Sequence, residues 1–191
     1  RDLRVFPDQD ADYKNGNVRI EADIRNLGKK PVKGYTISYS LYANKLYSDE
    51  NIVVNGVSGI ADVEELGKGE MTSAVATIQV DNPQKWSAEA PYRYVLVGQL
   101  KDKKGRVVET FSTAFGFCKV EIKDTPADKD EFGLAGRYYY VNGKTVKLKG
   151  VNRQEINPAT GNAITHQQMK EEIMLMKRGN INHVRNSHYS C

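Results

Sequence analysis

Apolar and polar residues alternate with a period of two from about residue 5 to residue 117, and this alternation limits the fold more than any other feature. In residues 17–26 (NVRIEADIRN) every second residue is apolar: Val18, Ile20, Ala22 and Ile24. Residues 34–43 (GYTISYSLYA) repeat the pattern. Such alternation is typical of antiparallel strands that bury one face and expose the other.

Segments between these strands have the composition of turns: KNGN, GKKP, VNGVSG, LGKGE and KDKKG. Short strands with a turn about every ten residues and no helical stretch predict a two-sheet sandwich of the immunoglobulin type over residues 1–117. The sequence has no Cys…Trp…Cys pattern, so this is not an antibody-like domain. We interpret Trp86 as a plug in the core or at an edge rather than as a sugar-stacking platform. We expect residues 1–117 to fold alone.

Charge and hydropathy argue against two classes of partner. The net charge is only +4, and the densest basic cluster, KDKKGR at 101–106, contains no aromatic residue. We interpret this cluster as a solvated hairpin tip rather than a nucleic-acid site. No apolar run approaches the roughly 20 residues that span a bilayer, and the amino end lacks the apolar segment of a signal peptide. We expect no nucleic-acid or membrane partner, and the compartment, cytoplasmic or periplasmic, stays open.

The pattern changes after the polar stretch 123–133 (KDTPADKDEFG). Residues 138–150 (YYYVNGKTVKLKG) predict a β-hairpin, because Asn142-Gly143 suits a two-residue turn with positive φ at both positions. Residues 146–151 then predict the start of a new strand.

A helix is predicted from about residue 166 to residue 178. Thr165 can cap its first turn, and Gln168 completes a capping box, with Ile164 and Met169 as a hydrophobic staple. Gly179 supplies the stop at the carboxyl end. One apolar face is predicted at helical spacing: Met169, Ile173 and Met176.

The segment INHVRNS after the helix predicts another strand. A strand, a helix and a strand in this order form a crossover unit with parallel strands. One such unit cannot be a stable domain. Residues 118–191 are therefore predicted to be a linker followed by the beginning of a larger fold.

Several segments in the same order carry a family resemblance: NPQKWSAEAPYRYVLVGQL, GRVVETFSTAFGF and VNGKTVKLKGVNRQEINPATGNAITHQQMKEEIMLMKRGNINHVRNSHYS. Over roughly residues 81–191 the chain resembles the middle of a glycoside hydrolase family 2 enzyme of the β-galactosidase type. The resemblance implies a mainly β chain, with an immunoglobulin-like sandwich followed by the truncated start (hairpin and βαβ) of a (β/α)₈ barrel. It also implies that a preceding sugar-binding-like domain and the later barrel strands lie outside these residues.

The resemblance assigns site residues at the carboxyl ends of the first two barrel strands, where barrel enzymes perform chemistry. Arg185 matches the family arginine that contacts the nucleophilic carboxylate and favours its ionised form. His188 matches a histidine near sugar hydroxyls. Asn152, Arg153 and Gln154 match the substrate-binding loop after the first strand.

Three positions depart from the family pattern. Gln154 stands where many β-galactosidases have a histidine, and it cannot become cationic. Cys118 replaces a usual arginine, and Ser190 replaces a usual proline. Cys118 and Cys191 make neither a disulfide framework nor a metal site, and whether they pair with each other stays open.

Both catalytic glutamates of the family come from later barrel strands, so we expect no catalytic residue in this chain. No pair among Glu155, Glu171 and Glu172 can replace them, because the last two lie in the predicted helix and Glu155 in a loop. Residues outside the chain would bind Mg²⁺ and Na⁺. The chain alone is predicted to be inactive and to self-associate as a homo-oligomer.

The resemblance implies that the parent protein is a retaining exo-glycosidase that hydrolyses terminal β-galactosides. Two alternatives stay open. One is another family 2 activity, β-glucuronidase or β-mannosidase, and the other is a non-catalytic sandwich that binds a carbohydrate or a protein.

Overall fold

The computed structural model describes residues 2–46, 48, 50–130 and 133–188. The chain forms two compact units, Arg1–Lys144 and Thr145–Cys191. The predicted boundary at 117/118 stays a prediction. Within the described residues, no helix is both long and apolar enough to cross a bilayer.

The first unit is built from antiparallel strands. Their bounds are β1 (Asp2–Gln9), β2 (Gly16–Arg25), β3 (Tyr35–Asn44), β4 (Asn51–Val63), β5 (Met71–Val80), β6 (Tyr94–Lys101), β7 (Val107–Phe115), β8 (Val120–Thr125) and β9 (Gly136–Val141), and the two-residue β10 (Lys144–Thr145) follows. One sheet has the order β1-β2-β5 and another the order β4-β3-β6-β7. A third has the order β10-β9-β8.

The core lies between the β1-β2-β5 sheet and the β4-β3-β6-β7 sheet. Each predicted alternation buries its apolar side, with Ile20 and Ile37 both 0% exposed. Most buried apolar residues of the core come from these two sheets, whereas Leu66 and Phe117 lie outside their strands. The full set is Val18, Ile20, Ala22, Ile37, Tyr39, Leu41, Ala61, Val63, Leu66, Ala74, Ala76, Ile78, Val80, Tyr94, Leu96, Leu100 and Phe117. The predicted sandwich is therefore confirmed.

One predicted turn is wrong. VNGVSG lies inside β4, which continues from Asn51 to Val63. Val53 pairs with Tyr42 and Ser58 with Ser40, so residues 54–57 bulge opposite the middle of β3. Gly56 has φ +74° there, a conformation that glycine adopts without steric cost. Composition could not distinguish this bulge from a turn, because both need such a residue.

The segment between sandwich and hairpin also differs from its prediction as a linker. Residues 120–125 form β8, which pairs antiparallel with β9 along its whole length. The predicted turn at Asn142-Gly143 is confirmed, with φ values of 49° and 77°.

Asn142 ties this hairpin to the sandwich. Its Oδ1 accepts hydrogen bonds from Gln9 Nε2 (2.7 Å) and from the Lys119 backbone N–H (3.0 Å). Its Nδ2 donates to the Trp86 carbonyl oxygen (2.9 Å). Trp86 is half-buried, and its backbone N–H donates to Phe117 O (2.9 Å). The turn residue therefore uses its side chain to hold three separate backbone segments together.

Strand β8 also contacts the sandwich through polar groups. The Tyr13 hydroxyl donates to Glu121 Oε2 (2.5 Å), and Lys123 contacts both groups. The hydrogen bond from Tyr13, and then that from Lys123, lowers the pKa of Glu121 below its ordinary value.

The second unit contains β11 (Gly150–Arg153), α1 (His166–Arg178) and β12 (His183–Asn186). The two strands pair in parallel, as predicted. The sequence predicted that the first strand begins at residue 146, but β11 begins at Gly150. Before it, the Asn182 side chain binds Lys147 O (3.0 Å) and Lys149 N–H (2.8 Å) in place of strand pairing.

The helix begins and ends as predicted. Thr165 Oγ1 accepts from the Gln168 backbone N–H (3.2 Å), and Gln168 Oε1 accepts from the Thr165 N–H (2.9 Å). Gly179 is the C-cap. The predicted apolar face is wrong at Ile173, which is 52% exposed. Glu172 is less exposed than Ile173 because its carboxylate binds Arg153.

Candidate active site

The carboxyl ends of β11 and β12 lie side by side. Asn152 pairs with Arg185, and Arg153 pairs with Asn186. Beyond the paired residues, the Ser187 N–H donates to Arg153 O (2.9 Å). The residues that follow each strand therefore leave the sheet at one edge, as expected for the start of a parallel barrel.

One face of this strand pair carries two of the predicted site residues. Asn152 and Arg185 are both exposed, and Arg185 Nη1 donates to Asn152 Oδ1 over a long 3.5 Å. Gln154 is two residues after Asn152 and is also exposed. Because strand side chains alternate, this face presents amide and guanidinium groups to whatever occupies it.

The opposite face carries Arg153. Its Nε donates to Glu172 Oε2 (2.7 Å), and its Nη1 donates to Glu155 Oε1 (3.0 Å). Its Nη2 lies 2.5 Å from Glu172 Oε2 but lacks hydrogen-bond alignment. The hydrogen bond with Glu172 raises the pKa of Arg153 above its ordinary value. The guanidinium is thus held by two carboxylates of its own unit, and its contact with a substrate stays a prediction.

Arg153, Glu155, Glu172 and Asn186 form a hydrogen-bonded cluster. Sequence reasoning missed three of them as functional candidates: Glu155, Glu172 and Asn186. Asn186 Nδ2 donates to the same Glu155 Oε1 (3.0 Å) that accepts from Arg153. The period-two alternation contains the information that would have found Glu155, since it lies two residues after Arg153. Glu172 had no such indication, because its contact depends on how α1 packs.

His188 lies two residues beyond β12 and is exposed, next to the buried Ser187. The roles predicted for Arg185, His188, Asn152, Arg153 and Gln154 all stay predictions. Tyr189, Ser190 and Cys191 lie outside the described residues, and so do the departure at Ser190 and the pairing of the two cysteines. Cys118 is half-buried, and burial raises the pKa of its thiol.

The carboxylates of this unit are the groups that could bind a cation. Glu155 and Glu172 both bind the Arg153 guanidinium, so their negative charge is already balanced in part and they do not fit a metal ion. Within the described ranges, no group of three or more His, Cys, Asp or Glu is arranged to hold one. Binding of Mg²⁺ and Na⁺ through residues elsewhere stays a prediction.

Two family models match the chain. The model described as "Glycosyl hydrolases family 2" matches residues 1–117, and "Glycosyl hydrolases family 2, TIM barrel domain" matches residues 133–191. The chain belongs to glycosyl hydrolase family 2. This confirms the resemblance and the predicted fold class, a mainly β chain with a sandwich followed by the start of a barrel.

Relatives within family 2 are similar along nearly the whole chain. A β-galactosidase from Pseudoalteromonas haloplanktis is 35% identical over 191 residues, which cover 99% of this chain and 16% of the relative. One from Priestia megaterium is 34% identical, covering 98% of this chain and 16% of the relative. The chain therefore spans about one sixth of the length of these relatives.

A solved structure has the same fold. The crystal structure of Bacteroides uniformis β-glucuronidase matches with a TM-score of 0.73 and 18% identity, over 98% of this chain and 20% of that one. At this identity the match concerns the fold alone.

Proposed function

We propose that these residues belong to a longer retaining exo-glycosidase that hydrolyses terminal β-galactosides. The observation that carries the proposal is the register pairing of Asn152 with Arg185 at the carboxyl end of a parallel strand pair. Similarity to β-galactosidases at 35% and 34% identity supports this choice of sugar.

Arg185 has the chemistry that this function needs. A retaining glycosidase uses two carboxylates about 5–5.5 Å apart, and one of them attacks the sugar as an anion. A guanidinium beside that anion lowers its pKa and keeps it ionised. Among the described residues, the side-chain hydrogen bond of Arg185 goes to an amide oxygen at 3.5 Å, whereas Arg153 is bound by two carboxylates. Of these two arginines, Arg185 is the better partner for a nucleophile.

His188, Asn152 and Gln154 would contact sugar hydroxyls. All three are exposed, and amide and imidazole groups both donate and accept hydrogen bonds. A neutral Gln154 can serve a galactoside. Both catalytic glutamates and the residues that bind Mg²⁺ and Na⁺ would lie elsewhere in the longer protein, and the 191-residue chain alone would be inactive.

The alternative within the family is a β-glucuronidase, since the similar solved structure has that activity in its name. A glucuronide adds a carboxylate that needs a cationic partner. Arg153 is poorly placed for this role because two glutamates already bind it. β-Mannosidase activity and carbohydrate or protein binding by the sandwich alone remain further outcomes of the test.

The test compares aryl β-galactosides, β-glucuronides and β-mannosides as substrates of the longer protein, and the product anomer is followed by NMR. We expect the highest kcat/KM for the galactoside, with retention of configuration. A higher kcat/KM for another glycoside would show that this glycoside, and not a galactoside, is the preferred substrate. Inversion of configuration would refute the retaining mechanism. No hydrolysis of any of the three, together with sugar binding by residues 1–117, would favour the binding module.

Arg185→Ala in the longer protein is expected to lower kcat by roughly 100-fold or more, because the nucleophile loses the charge that keeps it ionised and aligned. Steady-state kinetics on the aryl galactoside measure this loss. Arg178→Ala is the matched control, since Arg178 is an exposed arginine at the end of α1 and should leave kcat unchanged. A near-normal kcat for Arg185→Ala would remove Arg185 from the site.

A further inference from the structure

Glu155 lies two residues beyond the end of β11 and joins the two strands there. Its Oε1 accepts one hydrogen bond from Arg153 Nη1 and another from Asn186 Nδ2, both 3.0 Å long. Arg153 ends β11, Asn186 ends β12, and the two are register partners. One carboxylate oxygen therefore connects the carboxyl ends of both strands.

Helix α1 joins the same cluster. Arg153 Nε donates to Glu172 of the helix at 2.7 Å. The side chains of Arg153 and Glu155 are only 14% and 12% exposed, so water screens their contact less than it screens a surface ion pair. The cluster thus links all three elements of the unit.

The candidate functional residues are the chain neighbours of this cluster. Gln154 immediately precedes Glu155, and Arg185 immediately precedes Asn186. Successive side chains of a strand point to opposite faces. A change in the position of Asn186 therefore moves the backbone that directs Arg185 to the other face.

We propose that Glu155 is a positioning residue that sets the place of Arg185 through Asn186 and Arg153. This inference rests on the function proposed above, in which Arg185 contacts the nucleophile. Glu155 lies on the face opposite Arg185 and touches no substrate. A displacement of about 1 Å at a group that aligns the reaction can cost roughly 100-fold in rate, so loss of this connection affects kcat.

Glu155→Ala in the longer protein is expected to lower kcat by roughly 10-fold to 100-fold, with a change in KM of less than about threefold. Displacement of Arg185 also raises the pKa of the nucleophile. The acidic limb of the kcat/KM profile should therefore move to higher pH, in the same direction as in Arg185→Ala. A purely structural role would lower thermal stability and leave this limb in place.

Two further variants separate the causes. Glu155→Gln keeps an oxygen acceptor for Asn186 and should recover most of the lost kcat, which also covers the case in which Glu155→Ala does not fold. Glu171→Gln is the matched control, because Glu171 accepts its hydrogen bond from Gln167 of its own helix, α1 (2.7 Å). It should leave kcat and the acidic limb unchanged.

An NMR measurement on the 191-residue chain tests the contacts without activity. The Arg153 Nε–H and the Asn186 side-chain NH₂ signals should shift in Glu155→Gln and stay in place in Glu171→Gln. Unshifted signals in Glu155→Gln would overturn the contact itself. An active wild type with unchanged kcat and acidic limb in Glu155→Ala would overturn the positioning role alone. A wild type that hydrolyses none of the three glycosides would overturn the proposed function, and this inference with it.

Discussion

The two units bury their apolar residues to very different extents. In the first unit the β1-β2-β5 and β4-β3-β6-β7 sheets supply most of the core, and Leu96 is 0% exposed. Among residues 145–188, by contrast, no apolar residue is buried and α1 has no buried residue. Leu175 is 68% exposed and Val184 39%. The same kinds of side chain are thus covered in one unit and bare in the other.

This difference follows from strand direction. Antiparallel strands with one apolar face can pair as two sheets and cover each other. A parallel strand pair with a crossover helix needs cover on both faces and gains it only within a larger sheet. The prediction of self-association rests on the exposed surface of the second unit and stays a prediction.

The largest expected effect comes from matched truncations in the two units. Leu96→Ala should lower the free energy of unfolding by about 4 kcal/mol, because it opens a cavity in a closed core. Leu175→Ala should change it by less than about 0.5 kcal/mol, since the side chain is exposed and alanine favours a helix. Urea unfolding of both variants measures the contrast, and a loss at Leu175 equal to that at Leu96 would refute it.

The next effect concerns Asn142. Asn142→Ala loses the bonds to Gln9, Lys119 and Trp86 and places a β-carbon at φ +49°. We expect a loss of about 2–3 kcal/mol in the free energy of unfolding. Residues 1–117, which lack Asn142, should likewise be less stable than residues 1–144.

Asn180→Ala is the matched control for the backbone part of this loss. Asn180 has φ +57° in the second unit, so alanine there should cost only about 1 kcal/mol of strain. Equal losses in the two variants would show that the side-chain bonds of Asn142 contribute nothing.

The smallest effect tests how completely the sandwich core excludes water. Tyr39 is 1% exposed, and its hydroxyl has no hydrogen-bond partner in the described part of the chain. Tyr39→Phe should therefore raise the free energy of unfolding by about 1 kcal/mol. Tyr94→Phe is the matched control and should lower it by a similar amount, since the Tyr94 hydroxyl accepts from the Gln84 N–H (2.8 Å).

The buried Tyr39 hydroxyl also predicts how stability depends on pH. Burial raises the pKa of Tyr39 from 10.0 to about 12. A group whose pKa is higher in the folded state than in the unfolded state stabilises the folded protein fully at any pH below its unfolded-state pKa. This contribution is lost as the pH rises through its folded-state pKa. Between about pH 10 and pH 12, the wild type should thus lose stability through ionisation of Tyr39, and Tyr39→Phe should not show this loss. The same loss of stability between about pH 10 and pH 12 in the wild type and in Tyr39→Phe would contradict this.

Local patterns in the sequence were sufficient for most of the fold. The alternation around Ile20 and Ile37 predicted which sides are buried. Thr165 and Gln168 predicted where the helix starts, and Asn142-Gly143 predicted the turn. Each of these depends on groups a few residues apart, so the chain itself carries the information. The positions of Arg185 and Asn152 followed from the resemblance together with parallel strand order.

Only the tertiary structure decided which distant groups bind each other. It placed VNGVSG in a strand, because the bulge at Gly56 is defined by its pairing with β3. It put Glu172 rather than Ile173 against the strands, and it gave Arg153 two carboxylate partners. Helical and strand periods give the face of a side chain, but a contact also needs the partner across the fold, and 19 residues separate Arg153 from Glu172. That partner exists only once β11 and α1 have packed.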